Sequence, residues 1–298
     1  LSAAEHLGAA AAAGRQILAR AAEGDDLRLA IPDWHPLFGR YASIAEWLTS
    51  AHGKPDDTQN MTGTRLFTAW GIPVMAERSL WPALLLGAFQ FLGPLTTKAA
   101  AFGPLGLFAQ ALAVSILLYL SVLGHEFGHA FAARLFAVRT RKIILNFLGG
   151  GADIVGGLRR ALPEFVIAAV GPLVSALIGI ALFALAGLFF NPAVTPVLIL
   201  AAKLNMMLAA FNLLPLFPMD GARVLRAALT RWIGGYRATK LVGVVSALLS
   251  LGAVFAGAYG IFMGTGILTG TITAGIGAFF LFLTKQMSVH PGTTLVQS

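Results

Sequence analysis

The run Gly124-His125-Glu126-Phe127-Gly128-His129 sets two imidazoles four positions apart, with a carboxylate next to the first. On a helix, positions i and i+4 lie one above the other on one face, so both ring nitrogens can reach one cation. Glu126 then stands beside that face, where it can take a proton from a water on the cation rather than bind the cation itself. The chemistry that suits this arrangement is metal-assisted hydrolysis. A hydrolytic zinc site uses three protein ligands and keeps a further position open, so the two histidines need one more partner.

The chain has no cysteine, which leaves His, Asp or Glu as the third ligand. Beyond residue 60 the remaining candidates are His290, Glu77, Asp153, Glu164 and Asp220. His290 lies in a polar tail, where a solvated side chain is the ordinary outcome. Glu77 and Glu164 stand at the starts of apolar stretches, where a helix N-terminus favours a carboxylate. Asp153 follows a glycine run and could face a cavity. Asp220 comes near the end of Asn212-Leu213-Leu214-Pro215-Leu216-Phe217-Pro218-Met219-Asp220-Gly221. Two prolines there free backbone groups, which a membrane tolerates only against protein or a wet cavity. Asp220 is therefore the strongest third ligand, with capping of the helix that follows as its alternative role.

The elements that must carry these residues are apolar. Of the 298 residues, 57% are hydrophobic and 11% charged, against about 25% charged in soluble domains. Six apolar segments, near 80–95, 104–136, 163–190, 195–214, 241–262 and 267–283, read as membrane-crossing helices. The second carries both histidines and Glu126. At 1.5 Å per residue, His129 lies roughly 8 Å and His125 roughly 14 Å inward from Arg134, a basic residue expected at the interface. An ionisable group at such depth costs at least ~2.5–3.5 kcal/mol and marks function.

The expected fold is an all-α polytopic membrane protein of six transmembrane helices, with a short β-hairpin near the active site. That hairpin is read over 143–148, the glycines 149–151 and then 153–155. A strand edge there could pair with the backbone of an unwound substrate, which would make Asn146, Gly149 and Gly150 substrate-binding; an ordinary surface hairpin is the equal alternative. Residues 1–60 read as a separate extension, or as an over-extended reading frame, and 61–298 as the membrane domain.

The net charge is +8, but residues 1–60 hold eight of the thirteen acidic residues and only five of the twenty-one basic ones. The basic excess lies between apolar segments rather than in an aromatic-interleaved patch, so no nucleic-acid partner is expected. It reads as positive-inside topology in a lipid bilayer, with both termini and the basic loops 134–160 and 223–240 cytoplasmic.

H-E-x-x-H on a membrane helix, joined to a later N-x-x-P-x-x-P-x-D-G, resembles the site-2 protease family of intramembrane zinc metalloproteases. The likeness covers roughly 61–283 and includes Gly71-Ile72-Pro73-Val74, Gly149-Gly150-Gly151-Ala152 and Gly171-Pro172. Met219 and Ala222 depart from it, where Leu and Gly are common. The resemblance implies one Zn2+ per chain on His125, His129 and Asp220, with Glu126 as the catalytic acid/base. It also implies that Asn212 orients substrate or stabilises the oxyanion. The implied activity is hydrolysis of peptide bonds in the transmembrane segments of single-span proteins, within regulated intramembrane proteolysis. An upstream site-1-type protease would be a partner, and a prokaryotic inner membrane the location. The competing readings are a transporter or channel with an intramembrane polar site, and an inactive relative of the protease.

Overall fold

The structure, a computed structural model, describes residues 63–99, 103–154, 161–264 and 267–289; the extension read at 1–60 lies outside the described residues. The chain runs β1 (Thr64–Ala69), β2 (Ile72–Ala76), α1 (Leu80–Ala99), α2 (Gly103–Leu135), β3 (Thr140–Asn146) and β4 (Gly149–Ile154). It continues with α3 (Ala161–Leu188), α4 (Thr195–Asn212), α5 (Asp220–Ile233), α6 (Gly235–Phe262) and α7 (Ile267–Val289).

Four helices, α2, α3, α4 and α6, are long and apolar enough to cross a membrane. Among the described residues, four of the six segments read from the sequence meet that condition. The apolar parts of α1 and α7, Leu80–Leu95 and Thr269–Lys285, are shorter. At 1.5 Å per residue they extend about 24–26 Å, against a hydrocarbon core of about 30 Å. The helix that opens the basic stretch after Pro218 begins at Asp220 itself and is strongly amphipathic, as suits a helix with one polar face.

The all-α reading needs correction. β3 and β4 are the expected hairpin, but they belong to a four-stranded sheet in the order β1-β2-β3-β4. β1–β2 and β3–β4 are antiparallel and β2–β3 is parallel. β1 gives no alternation to read, because nearly all its residues are exposed. Its turn to β2 is two residues long, with φ of 50° at Trp70 and 78° at Gly71. Two positive φ values make a hairpin turn that Asn-Gly usually signals, and Trp-Gly hides it.

The sheet packs on the helix that bears the histidines. Ile72, Val74 and Ala76 of β2, Ile143 and Leu145 of β3 and Ala152 of β4 bury against Val122, Leu123, Phe127 and Ala130 of α2. The N-terminal half of α2 buries Ala111 and Val114 against Ala88 and Leu95 of α1 and Val197 of α4. α6 and α7 run antiparallel: Gly257 lies against Gly270 and Ala274, and Gly277 against Ser250 and Val254. Close backbone approach at small residues is how membrane helices gain contact when burial from water offers little.

Candidate metal centre

His125 and His129 lie one turn apart on α2, and Asp220 is the first residue of α5. All three are buried, at 4, 4 and 7% exposure. His125 Nε2 is 3.1 Å from His129 Nε2, and each is 3.1 Å from Asp220 Oδ2. On its other side, His129 Nδ1–H donates to the Ile167 carbonyl at 2.7 Å. A carbonyl only accepts, so Nδ1 must carry the proton, and Nε2 of the neutral ring presents a lone pair. His125 Nδ1 pairs with Ser175 Oγ at 2.9 Å; the hydroxyl can accept from Nδ1–H, the tautomer that leaves the Nε2 lone pair facing the triangle. Three lone-pair atoms thus converge in a triangle that a cation would relieve. Zinc with ligands about 2.0–2.1 Å away in a tetrahedron sets those ligands about 3.3 Å apart, so this N, N, O set fits it closely. Among the described residues, these three form the group able to hold a metal.

α3 shapes one wall of the centre. A Cβ at Gly171 would stand 2.3 Å from Cε1 and Nε2 of His129 and 2.8 Å from Nε2 of His125, so both rings occupy the space a side chain would take. Across the same contact, Cβ atoms at Gly124 and Gly128 would meet Ile178 at 3.1 Å and Val174 at 3.0 Å. Ile167 and Ser175, which hold the outer ring nitrogens, are residues of α3 as well.

The carboxylate arrives differently. After α4 ends at Asn212 the chain turns through Pro215 and Pro218, and Phe217 N–H donates to Ser246 Oγ of α6 at 3.0 Å. Ser246 Oγ is in turn 2.6 Å from Thr284 Oγ1 of α7. A Cβ at Gly221 would fall 2.1 Å from the Leu213 carbonyl oxygen, which explains the glycine after the aspartate. Asp220 then opens α5, where the helix dipole favours a negative charge. α5 is tied to α3 by Arg226, whose Nε donates to Glu164 Oε1 at 2.8 Å and whose Nη2 reaches the same oxygen.

The other sequence candidates fall in distinct places. Glu126 is 7% exposed, and Gly150 of β4 lies directly against it: a Cβ there would be 3.0 Å from Glu126 Cγ. Gly149, at φ 129°, borders open space. Asn146 closes the hairpin, its Oδ1 accepting the Leu148 N–H at 2.9 Å. Asn212 Nδ2 donates back to the Leu208 carbonyl at 3.0 Å, away from the histidines' hydrogen bonds. Glu164 is the partner of Arg226, Glu77 faces Ser79 at 3.5 Å, and Asp153 lies on β4; none joins the triangle. The sequence reading missed Ser175, the Ile167 carbonyl, Gly171 as a cradle for both rings, and the Glu164–Arg226 pair. Gly171-Pro172 was the one visible trace of them.

The profile of the Peptidase M50B-like family matches residues 99–254. A zinc metalloprotease of Methanocaldococcus jannaschii is 40% identical over 137 residues, 46% of this chain and 40% of that protein. Rip3 of Mycobacterium tuberculosis is 32% identical over 191 residues, 60% of this chain and 47% of that protein. The chain therefore spans less than half the length of these relatives. The solved structure of a site-2 protease from Methanocaldococcus jannaschii superposes with a TM-score of 0.51 at 31% identity, over 76% of this chain and 94% of that one. The family match includes His125, Glu126, His129 and Asp220, and the chain belongs to the site-2 protease family of Peptidase M50B-like proteins.

Proposed function

We propose that this chain is an intramembrane zinc metalloprotease that cuts peptide bonds in the transmembrane segments of single-span membrane proteins. The observation that carries the reading is the buried 3.1 Å triangle of His125, His129 and Asp220 on the helix that also bears Glu126. One Zn2+ would be held there by the two Nε2 atoms and Asp220 Oδ2, where it supplies a Lewis acid that acidifies water and polarises a carbonyl.

The chain's own groups do the rest. His129 is fixed by the Ile167 carbonyl and His125 by Ser175, so neither ring has to reorganise during turnover. Glu126 accepts a proton from the attacking water and returns it to the amide nitrogen as the bond breaks. A helical substrate hides its scissile carbonyl in its own hydrogen bonds, so a stretch must unwind first. β4 is an edge strand that passes against Glu126 at Gly150. Its free backbone groups can pair with the unwound segment beside the general base, with Asn146 and Gly149 setting the hairpin that presents it. Asn212 holds the Leu208 carbonyl with one amide hydrogen and keeps the other, with Oδ1, for substrate.

The basic loops support a topology with both termini and the shorter water path on the cytoplasmic side, in what we read as a prokaryotic inner membrane. α1 and α7 would complete six crossings by local thinning of the bilayer. Residues 61–298 form the protease domain, 1–60 a separate extension. The substrate would be a single-span protein already trimmed by a site-1-type protease, as regulated proteolysis requires.

The test is Glu126→Gln in the purified, zinc-loaded full chain. It should keep one zinc per chain, measured by atomic absorption, and lose cleavage of a single-span peptide by at least about 10²-fold. An active variant overturns the mechanism, and a wild type without stoichiometric zinc overturns the proposal.

A further inference from the structure

Helix α5 carries two arginines one turn apart with opposite fates. Arg226 spends its guanidinium on Glu164. Arg223, three residues after Asp220, has a buried Nε without a hydrogen-bond partner. Its Nη1 stands 3.6 Å from Asp220 Oδ1, too far for a hydrogen bond. The side chain as a whole retains 23% exposure, so its Nη end, unlike the buried Nε, borders accessible space. Its place beside Asp220 sets it at the edge of the same centre. A buried charged donor without an acceptor is costly, and such a group calls for an explanation. Asn212 uses one of its two amide hydrogens on the Leu208 carbonyl, so Arg223 is the charged donor available beside the centre.

We infer that Arg223 is a catalytic residue, the Nη end of its guanidinium donating to the scissile carbonyl oxygen as that oxygen becomes an oxyanion. The inference rests on the protease reading above. The water oxygen adds to the carbonyl carbon, its proton passes to Glu126, and the C=O π pair moves onto the oxygen facing Arg223. On collapse that pair re-forms the carbonyl, the C–N bond breaks, and the nitrogen takes the proton from Glu126. The products are a carboxylic acid and an amine. The unused donor thus acquires its acceptor only when charge develops, which is the condition for accelerating the step rather than tightening the ground state.

The test uses the zinc-loaded full chain in detergent, a synthetic Leu/Ala-rich single-span peptide with a Gly-Ser break, and a phosphinic analogue of the bond that wild type cuts. Arg223→Ala should retain zinc, keep KM within about twofold and lose about 10²–10³-fold in kcat. It should bind the phosphinic peptide more weakly by a similar factor, yet bind the parent peptide unchanged in a Glu126→Gln background. Added guanidinium should restore part of the rate. If Arg223→Ala does not fold, Arg223→Lys, which keeps the charge but not the planar fork, decides with a loss of about tenfold in kcat at full zinc. Loss of zinc together with activity, or equal weakening of both peptides, assigns Arg223 a merely structural place beside Asp220 and overturns the inference. A zinc-loaded wild type that cuts no peptide overturns the protease reading and this inference with it.

Discussion

The two arms of the metal centre reach the same triangle by different means. The histidine arm is one uninterrupted helix, α2, and its 3.6-residue period alone puts His125 and His129 on a common face. Everything that refines this arm comes from α3: the Ile167 carbonyl, the Ser175 hydroxyl and the gap at Gly171. The aspartate arm is a Pro-broken turn leading into an amphipathic helix, and no local period fixes Asp220. Its place depends on contacts made far away in sequence, with Ser246 of α6 holding the turn and Glu164 of α3 holding the helix. One arm is rigid by secondary structure and the other by tertiary bonds, so they should fail differently when disturbed.

The largest difference should appear at two glycines. Gly171→Ala puts a methyl 2.3 Å from the His129 ring and 2.8 Å from His125 Nε2, so both histidines must leave together and zinc content should fall to background. Gly221→Ala drives a methyl to 2.1 Å from the Leu213 carbonyl, which displaces Asp220 while the two histidines stay paired. Weak zinc binding by two ligands should survive there. Zinc titration by calorimetry separates the cases; identical curves would show that the arms are a single unit.

This division also decides what could be read from the sequence. His125, Glu126 and His129 were legible because helical spacing is local, and Asp220 because two prolines in an apolar segment mark a built cavity. The β3–β4 hairpin was legible from its glycines. The strands β1 and β2 were not, since Trp70-Gly71 conceals a turn that Asn-Gly would announce. Of the six segments read as crossings, four form helices long and apolar enough among the described residues, because hydropathy registers apolar content and not helix length. Ser175, Ile167 and the Glu164–Arg226 pair lie 50, 38 and 62 residues from their partners. No sequence period links such distances, and their partners appear only once α3 packs between α2 and α5.

A moderate effect is expected where the aspartate arm meets α3. Glu164 is 4% exposed and Arg226 nearly as buried. Removing one member of such a pair strands a buried charge at a cost of about 3–5 kcal/mol. Glu164→Gln should therefore lower the thermal midpoint in detergent and speed zinc release to a chelator, because α5 carries Asp220. The double replacement Glu164→Met with Arg226→Met leaves no charge stranded and should recover most of the stability. If the single variant released zinc no faster than wild type, α5 would not need α3 to hold the carboxylate in place.

The smallest effect belongs to the histidine arm. Ser175 is fully buried and touches the metal set only through His125 Nδ1, at 2.9 Å. Ser175→Ala removes the group that holds the ring's angle, yet leaves α2, Gly171 and the His129–Ile167 bond in place. Loss of such an outer partner lowers metal affinity by about 10–100-fold. The lower end is expected here, because a zinc shared with Asp220 Oδ2, 3.1 Å from His125 Nε2, would give the ring a second anchor. A chelator competition should show zinc held about tenfold more weakly, with the thermal midpoint nearly unchanged. In a Glu164→Gln background the same substitution should cost more, because the anchor it relies on is then loose. Simple additivity of the two losses would mean that the carboxylate does not steady His125, and that α3 holds each arm independently.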